Sequence, residues 1–185
     1  MEFGLQDKIQ SGIDKISSRI RDQNALVNSF ACAYSCLLLG DRDCYSLLDK
    51  ARERLRSKGL AAFRLEDISA EGISDVNKME CIKAFNGTVV MIHGKGAGTV
   101  TEANLLSSDE RLRHKTALFF RLGLPEMARN TVDYPIFFPR KHCFKDEEDF
   151  AGQVEIIVMQ DAYAEANLKA RAIMADKELK GGEFS

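Results

Sequence analysis

Five short apolar runs rich in strand formers, separated by segments whose apolar positions repeat every three or four residues, set the strongest limit on what this chain can fold into. The runs are Leu26 to Ala33, Leu60 to Leu65, Thr88 to Ile92, Thr116 to Phe120 and Tyr134 to Phe138. Being short and nearly continuous in apolar character, they suit strands covered on both faces of a parallel sheet. After the first run, Tyr45, Leu48, Ala51 and Leu55 share a helical face and Gly59 supplies a stop. A second helix runs from Ser74, a good N-cap, through Val76, Met79, Ile82 and Phe85. Pro125 can open another, and Asp146 to Asp149 place negative charge at the start of a final helix reaching about Lys180. Val154 to Met159 also fits a strand, an alternative the pattern leaves open.

Strands alternating with helices require right-handed crossovers and helices on both faces of one sheet. The expected architecture is therefore a three-layer α/β/α sandwich, Rossmann-like in the flavodoxin manner, with a five-stranded parallel sheet in the order 2-1-3-4-5. Leu5, Ile9, Ile13, Ile16 and Ile20 line one face of an additional N-terminal amphipathic helix, opposite Lys8, Asp14, Arg19 and Asp22. The expected division is residues 1–24 for that helix, 25–180 for a single domain and 181–185 for a tail. The isoleucine stripe either docks on the domain or is a candidate homodimer interface.

A chain of 185 residues buries a sufficient core without disulfides or metals, and a formal charge of −2 gives it no general attraction to polyanions. Nucleic acid is not an expected partner. The apolar segment from Ala25 to Leu39 carries Asn28 and two serines and falls short of the roughly 20 residues a membrane span needs, so no membrane partner is expected. With no secretory signal after Met1, a cytoplasmic protein is expected. Cys32, Cys36, Cys44, Cys81 and Cys143 are odd in number and irregularly spaced, with no paired knuckles, so reduced thiols and no metal are expected. Cys32 falls on the first strand in this reading. Cys36 or Cys44 is a candidate reactive thiol, against the plainer role of small buried hydrophobe.

In a sheet of this order ligands bind beyond the carboxyl ends of strands one and three, which nominates the loops Tyr34 to Asp43 and His93 to Glu102. The second is glycine-rich. Gly94, Gly96 and Gly98 let backbone amides approach an anion, and the helix that Thr99 begins adds partial positive charge. Lys95 is a candidate phosphate contact. The turn is neither a Walker A loop nor the dinucleotide fingerprint, and no cofactor is expected. Tyr34, read as ending strand one, is a candidate stacking residue, and Asp67, after strand two, is a candidate ribose ligand. His93 abuts the loop, with a structural role the plainer reading. Pro139-Arg-Lys-His142 reads as a basic cluster at the cleft rim or a solvated turn.

Gly96-Ala-Gly-Thr-Val-Thr-Glu102, with Cys81-Ile-Lys-Ala-Phe-Asn-Gly-Thr-Val-Val90 before it, resembles the core of nucleoside deoxyribosyltransferase-like proteins. It is similar also to lysine-decarboxylase-like phosphoribohydrolases, and TIR domains share the broad architecture. Leu47 to Gly59 and Phe63 to Asp67 sit where such proteins place their first helix and second strand, so the likeness covers roughly residues 26 to 120. The resemblance implies a nucleoside or nucleotide ligand and cleavage or transfer at an N-glycosidic bond. It puts Glu102 at the family's functional glutamate, as nucleophile or stabiliser of an oxocarbenium-like transition state. The plainer reading of Glu102 is an acid in the first turn of a helix, favourable by about 0.5 kcal/mol. The alternative function is a non-catalytic nucleotide-binding or sensory domain that assembles through its N-terminal helix.

Overall fold

The apolar run Thr88–Ile92 forms the middle of a five-stranded sheet and is fully buried along its length, as a strand covered on both faces must be. The computed structural model describes residues 3–68, 75–94, 96–122 and 138–182. In chain order these form α1 (Phe3–Cys32), β1 (Ser35–Leu39), a 3-10 turn (Arg42–Cys44), α2 (Tyr45–Ser57) and β2 (Ala61–Arg64). There follow α3 (Leu65–Ile68), α4 (Asp75–Ala84), β3 (Thr88–Ile92), α5 (Ala97–Ser108) and α6 (Glu110–Lys115). β4 (Thr116–Arg121), β5 (Arg140–Phe144) and α7 (Glu147–Gly182) complete the set. The strands lie in the order β2-β1-β3-β4-β5 and every pair is parallel. The fold is the expected three-layer α/β sandwich with an N-terminal helix.

Alternate residues of each strand feed the two faces. Leu37, Leu39, Val89, Met91, Leu118 and Phe120 belong to one core with Ile82, Ala103, Leu106 and Leu112 of α4, α5 and α6. On the other face Phe119 meets Phe150 of α7 edge-on, with ring centres 5.0 Å apart, and Phe144 lies 5.0 Å from the same ring. Each of these three phenylalanines is fully buried, a contribution of about 2 to 3 kcal/mol apiece. On this face α2 is tied to α7 by Lys50 to Glu148 at 2.7 Å, Lys58 to Glu155 at 3.3 Å, and Arg54 to Glu155. Gly59 closes α2 with φ of 80°, a conformation that side chains rarely adopt.

Three expectations are corrected. Leu26 to Ala33 is not the first strand but the end of α1, because Leu26, Val27, Phe30 and Ala31 recur at helical spacing and pack against Ala166 and Ala170 of α7. The first strand is Ser35–Leu39, so Cys32 is an exposed helix residue. The fifth strand among the described residues is Arg140–Phe144, where Tyr134 to Phe138 was expected. Of that run only Phe138 is described, buried in the core, and the helix expected from Pro125 also lies outside the described residues. Being at the sheet edge, β5 alternates outward polar and inward residues, which hides it from an apolar-run reading. Val154 to Met159 is helical. α1 runs on to Cys32, past residues 22 to 24 at which the amphipathic pattern stops. The chain groups into two compact units, Met1–Ala33 with Ala162–Ser185, and Tyr34–Asp161. Among the described residues no helix is long and apolar enough to cross a membrane.

Candidate functional site

β1 ends at Leu39 and β3 at Ile92, and the chain leaves both in the same direction because the strands are parallel. Gly96 takes an extended conformation (φ −62°, ψ 144°) at the cap of α5 and has no side chain with which to satisfy the free amides there. The missing acceptor comes from the other loop. Asp41 Oδ2 accepts the Gly96 amide at 3.3 Å, and Asp41 Oδ1 accepts the hydroxyl of Thr99, which is itself buried. A Cβ on Gly94 or on Gly96 would overlap the Asp41 carboxylate. These two glycines thus make room for an internal anion at a helix N-terminus, where its charge is favourable. Gly98 differs: a Cβ there would meet nothing.

One turn beyond Thr99, Glu102 lines a small, partly open recess together with Leu38, Leu39, Gly40, Leu48, Leu65 and Glu66. Two carboxylates from different elements, α5 and α3, therefore border one small space at the carboxyl ends of β1 and β2. Glu66 is oriented by Tyr45, whose phenol donates to Oε1 at 2.6 Å. That hydrogen bond, with burial adding to it, pushes the Tyr45 phenol above its usual pKa. The guanidinium of Arg64 lies 4.7 Å from the centre of the Tyr45 ring, a cation–π contact that braces the same side chain. His93, beside the glycine turn, is buried and stacks on Phe120 with ring centres 5.0 Å apart.

The residues nominated from sequence divide. Gly94, Gly96, Gly98, Thr99 and Glu102 gather at the carboxyl end of the sheet, and Lys95 lies outside the described residues. Asp67 stands after β2, but its carboxylate accepts the Arg64 amide at 2.9 Å and Arg52 Nη1 at 2.8 Å. Burial pushes the Asp67 carboxyl up, and the Arg64 amide and Arg52 guanidinium outweigh it to hold the carboxyl below its ordinary value. Tyr34 precedes β1 and so sits at the opposite end of the sheet, buried, its hydroxyl 3.0 Å from Thr88 Oγ1. Thr88 in turn donates to Asp161 Oδ2 at 2.6 Å, and Arg140 holds the same carboxylate. The basic cluster at Arg140 to His142 is accordingly part of β5 rather than a cleft rim.

Burial, and then Asp161, push the Cys36 thiol far up, while burial with Asp41 and Asp43 raises Cys44 against a smaller opposing effect of Arg121. Neither is an activated thiolate. No group of three metal-ligating side chains occurs among the described residues. Asp41, Glu66 and Tyr45 were not singled out from sequence, although Asp41 falls in the nominated first loop and Glu66 adjoins Asp67.

No family model matches the chain, and no curated protein does. Among solved structures it is similar to TIR domains in the activated Roq1 resistosome that directly recognises the pathogen effector XopQ, at 16% identity and a TM-score of 0.44 over 72% of this chain and 83% of that one. It is similar also to a CheY-like response regulator receiver domain from Methanospirillum hungatei JF-1, at 14% identity and a TM-score of 0.40 over 67% of this chain and 94% of that one. Both neighbours are Rossmann-like α/β folds, and the likeness is one of fold.

Proposed function

We propose that the recess at the carboxyl ends of β1 and β2 binds the sugar of a nucleoside, with Glu102 and Glu66 accepting hydrogen bonds from its hydroxyls. The observation that carries this reading is the pair of carboxylates on the lining of one recess whose other walls are Leu38, Leu39, Gly40, Leu48 and Leu65. Carboxylates bond hydroxyls strongly and repel phosphates. The recess itself has room for about one water molecule, far less than sites that engulf a ligand, so the sugar would lie across its mouth with its hydroxyls turned toward the two acids and the base outside. Asp41, seated in the glycine turn, moves the reading from a phosphorylated ligand to an unphosphorylated one. Gly98 supports close approach of a ligand to the first turn of α5, since nothing inside the protein fills the space its missing side chain leaves.

Cleavage is the finer reading. The Glu102 carboxylate attacks the anomeric carbon or shields its developing positive charge, the C–N bond breaks, the base leaves with the electron pair and gains a proton, and water releases the sugar. The test incubates the protein with nucleosides, their 5′-phosphates and a nicotinamide dinucleotide, following thermal stabilisation and free base, beside Glu102→Gln. Nucleosides should stabilise the wild type more than their phosphates do, and Glu102→Gln should weaken the effect while leaving measurable residual binding. No stabilisation by any of them overturns the reading.

A second reading, a non-catalytic binding or sensory domain that assembles through α1, is favoured by Ile13, Ile16 and Ile20, which stand 50%, 61% and 53% exposed along one line of that helix. Ligand binding without base release, together with a dimer in sedimentation that Ile16→Asp dissolves, selects it.

A further inference from the structure

We infer that Asp41 is a positioning residue for Glu102: by tying the end of β1 to the first turn of α5, it sets the width of the recess. The inference rests on the reading of Glu102 as a ligand-facing group. Asp41 directly follows Gly40, which with Leu38 and Leu39 forms the β1 side of the recess. Its carboxylate is bonded by the Gly96 amide and the Thr99 hydroxyl, at the cap and in the first turn of α5. Glu102 stands three residues after Thr99 on the same helix, so a shift of that turn moves Glu102 relative to Gly40. Thr99 is 4% exposed, so its hydroxyl has little access to water as a substitute acceptor. Gly94 and Gly96 allow the tie to be close, since a side chain on either would displace the carboxylate. The contact joins residues 58 apart in sequence and clamps together two elements, β1 and α5, that the chain itself connects only by way of the 3-10 turn, α2, β2, α3, α4 and β3.

The test has two independent arms and uses the full chain. In the first, which needs no ligand, the Glu102 side chain carboxyl is followed by ¹³C NMR, its signal assigned through Glu102→Gln. Asp41→Ala and Thr99→Val should each move its chemical shift and titration midpoint, and Asp41→Asn, which still accepts from Thr99, should restore most of the wild-type behaviour. An unchanged Glu102 signal in Asp41→Ala overturns the inference. In the second arm, Asp41→Ala should weaken adenosine binding about tenfold in the otherwise wild-type protein and leave it unchanged in the Glu102→Gln background. An equal loss in both backgrounds means a merely structural Asp41 and also overturns it. If the wild type binds no nucleoside, the proposed function fails while the NMR arm still decides whether Asp41 positions Glu102.

Discussion

Arg140 grips Asp161 with two nitrogens, Nη1 to Oδ2 at 2.8 Å and Nη2 to Oδ1 at 3.2 Å. The same Asp161 Oδ2 accepts the Thr88 hydroxyl, which Tyr34 meets from the other side, so one carboxylate joins β5, β3 and the residue leading into β1. Removing Arg140 leaves Asp161 with an uncompensated charge only a quarter exposed. Arg140→Ala should cost about 2 kcal/mol and Tyr34→Phe about 1 kcal/mol, measured by urea unfolding. Because both act on one network, the double variant should cost less than the two added together.

Glycine positions in the turn should respond oppositely to alanine. Gly94→Ala and Gly96→Ala drive a methyl into the Asp41 carboxylate and should destabilise by about 1 to 3 kcal/mol. In an Asp41→Gly background that cost should largely vanish. Gly98→Ala meets open space on a helix and should be neutral or stabilising by up to about 1 kcal/mol. A large loss of stability in Gly98→Ala contradicts this account.

Thiol reactivity should follow burial and charge. Cys32 and Cys143 are exposed and should react first with an aromatic disulfide reagent at neutral pH. Cys44, half-buried beside Asp41 and Asp43, should react slowly, and Cys36 only after unfolding. Mass mapping of the labelled peptides gives the order directly.

Acid should weaken the fold through identifiable carboxylates. The hydrogen bond from Arg54, opposed by burial and helped by Lys58, holds Glu155 below its ordinary value, and Asp67 is lowered as described. A carboxyl lowered in the folded state contributes stability that is complete above its unfolded pKa, about 4, and is lost as pH falls through the lower native value. The urea midpoint should therefore be flat from neutral pH to about 5 and fall below about 4. Asp67→Asn should flatten that fall. The α2 to α7 ion pairs are exposed enough that added salt should weaken them at any pH above it.

β3 and β4 were legible because Thr88 to Ile92 and Thr116 to Phe120 are buried on both faces and so carry no polar alternation that a helix could mimic. Leu26 to Ala33 was not, because a short apolar run looks the same in a strand and in a helix that buries one side, and only Ala166 and Ala170 of the distant α7 settle it. With that run removed from the sheet, Tyr34 moved from the ligand end to the opposite one. The glycine turn and Glu102 could be placed by their position after β3. Asp41 and Glu66 could not, since a single acid in a loop has no periodicity, and what gives Asp41 meaning is a pairing with Gly96 and Thr99 across more than 50 residues.

The seat that Asp41 occupies has a consequence for how any ligand would be received. An anion that belongs to the chain is in place before any ligand arrives, so Gly96 and Thr99 already have the acceptor that a bound phosphate would otherwise supply. Entropy that a ligand-ordered phosphate loop gives up on binding is here given up beforehand. The recess should therefore keep one shape whether or not a ligand is present, a mould rather than a clasp.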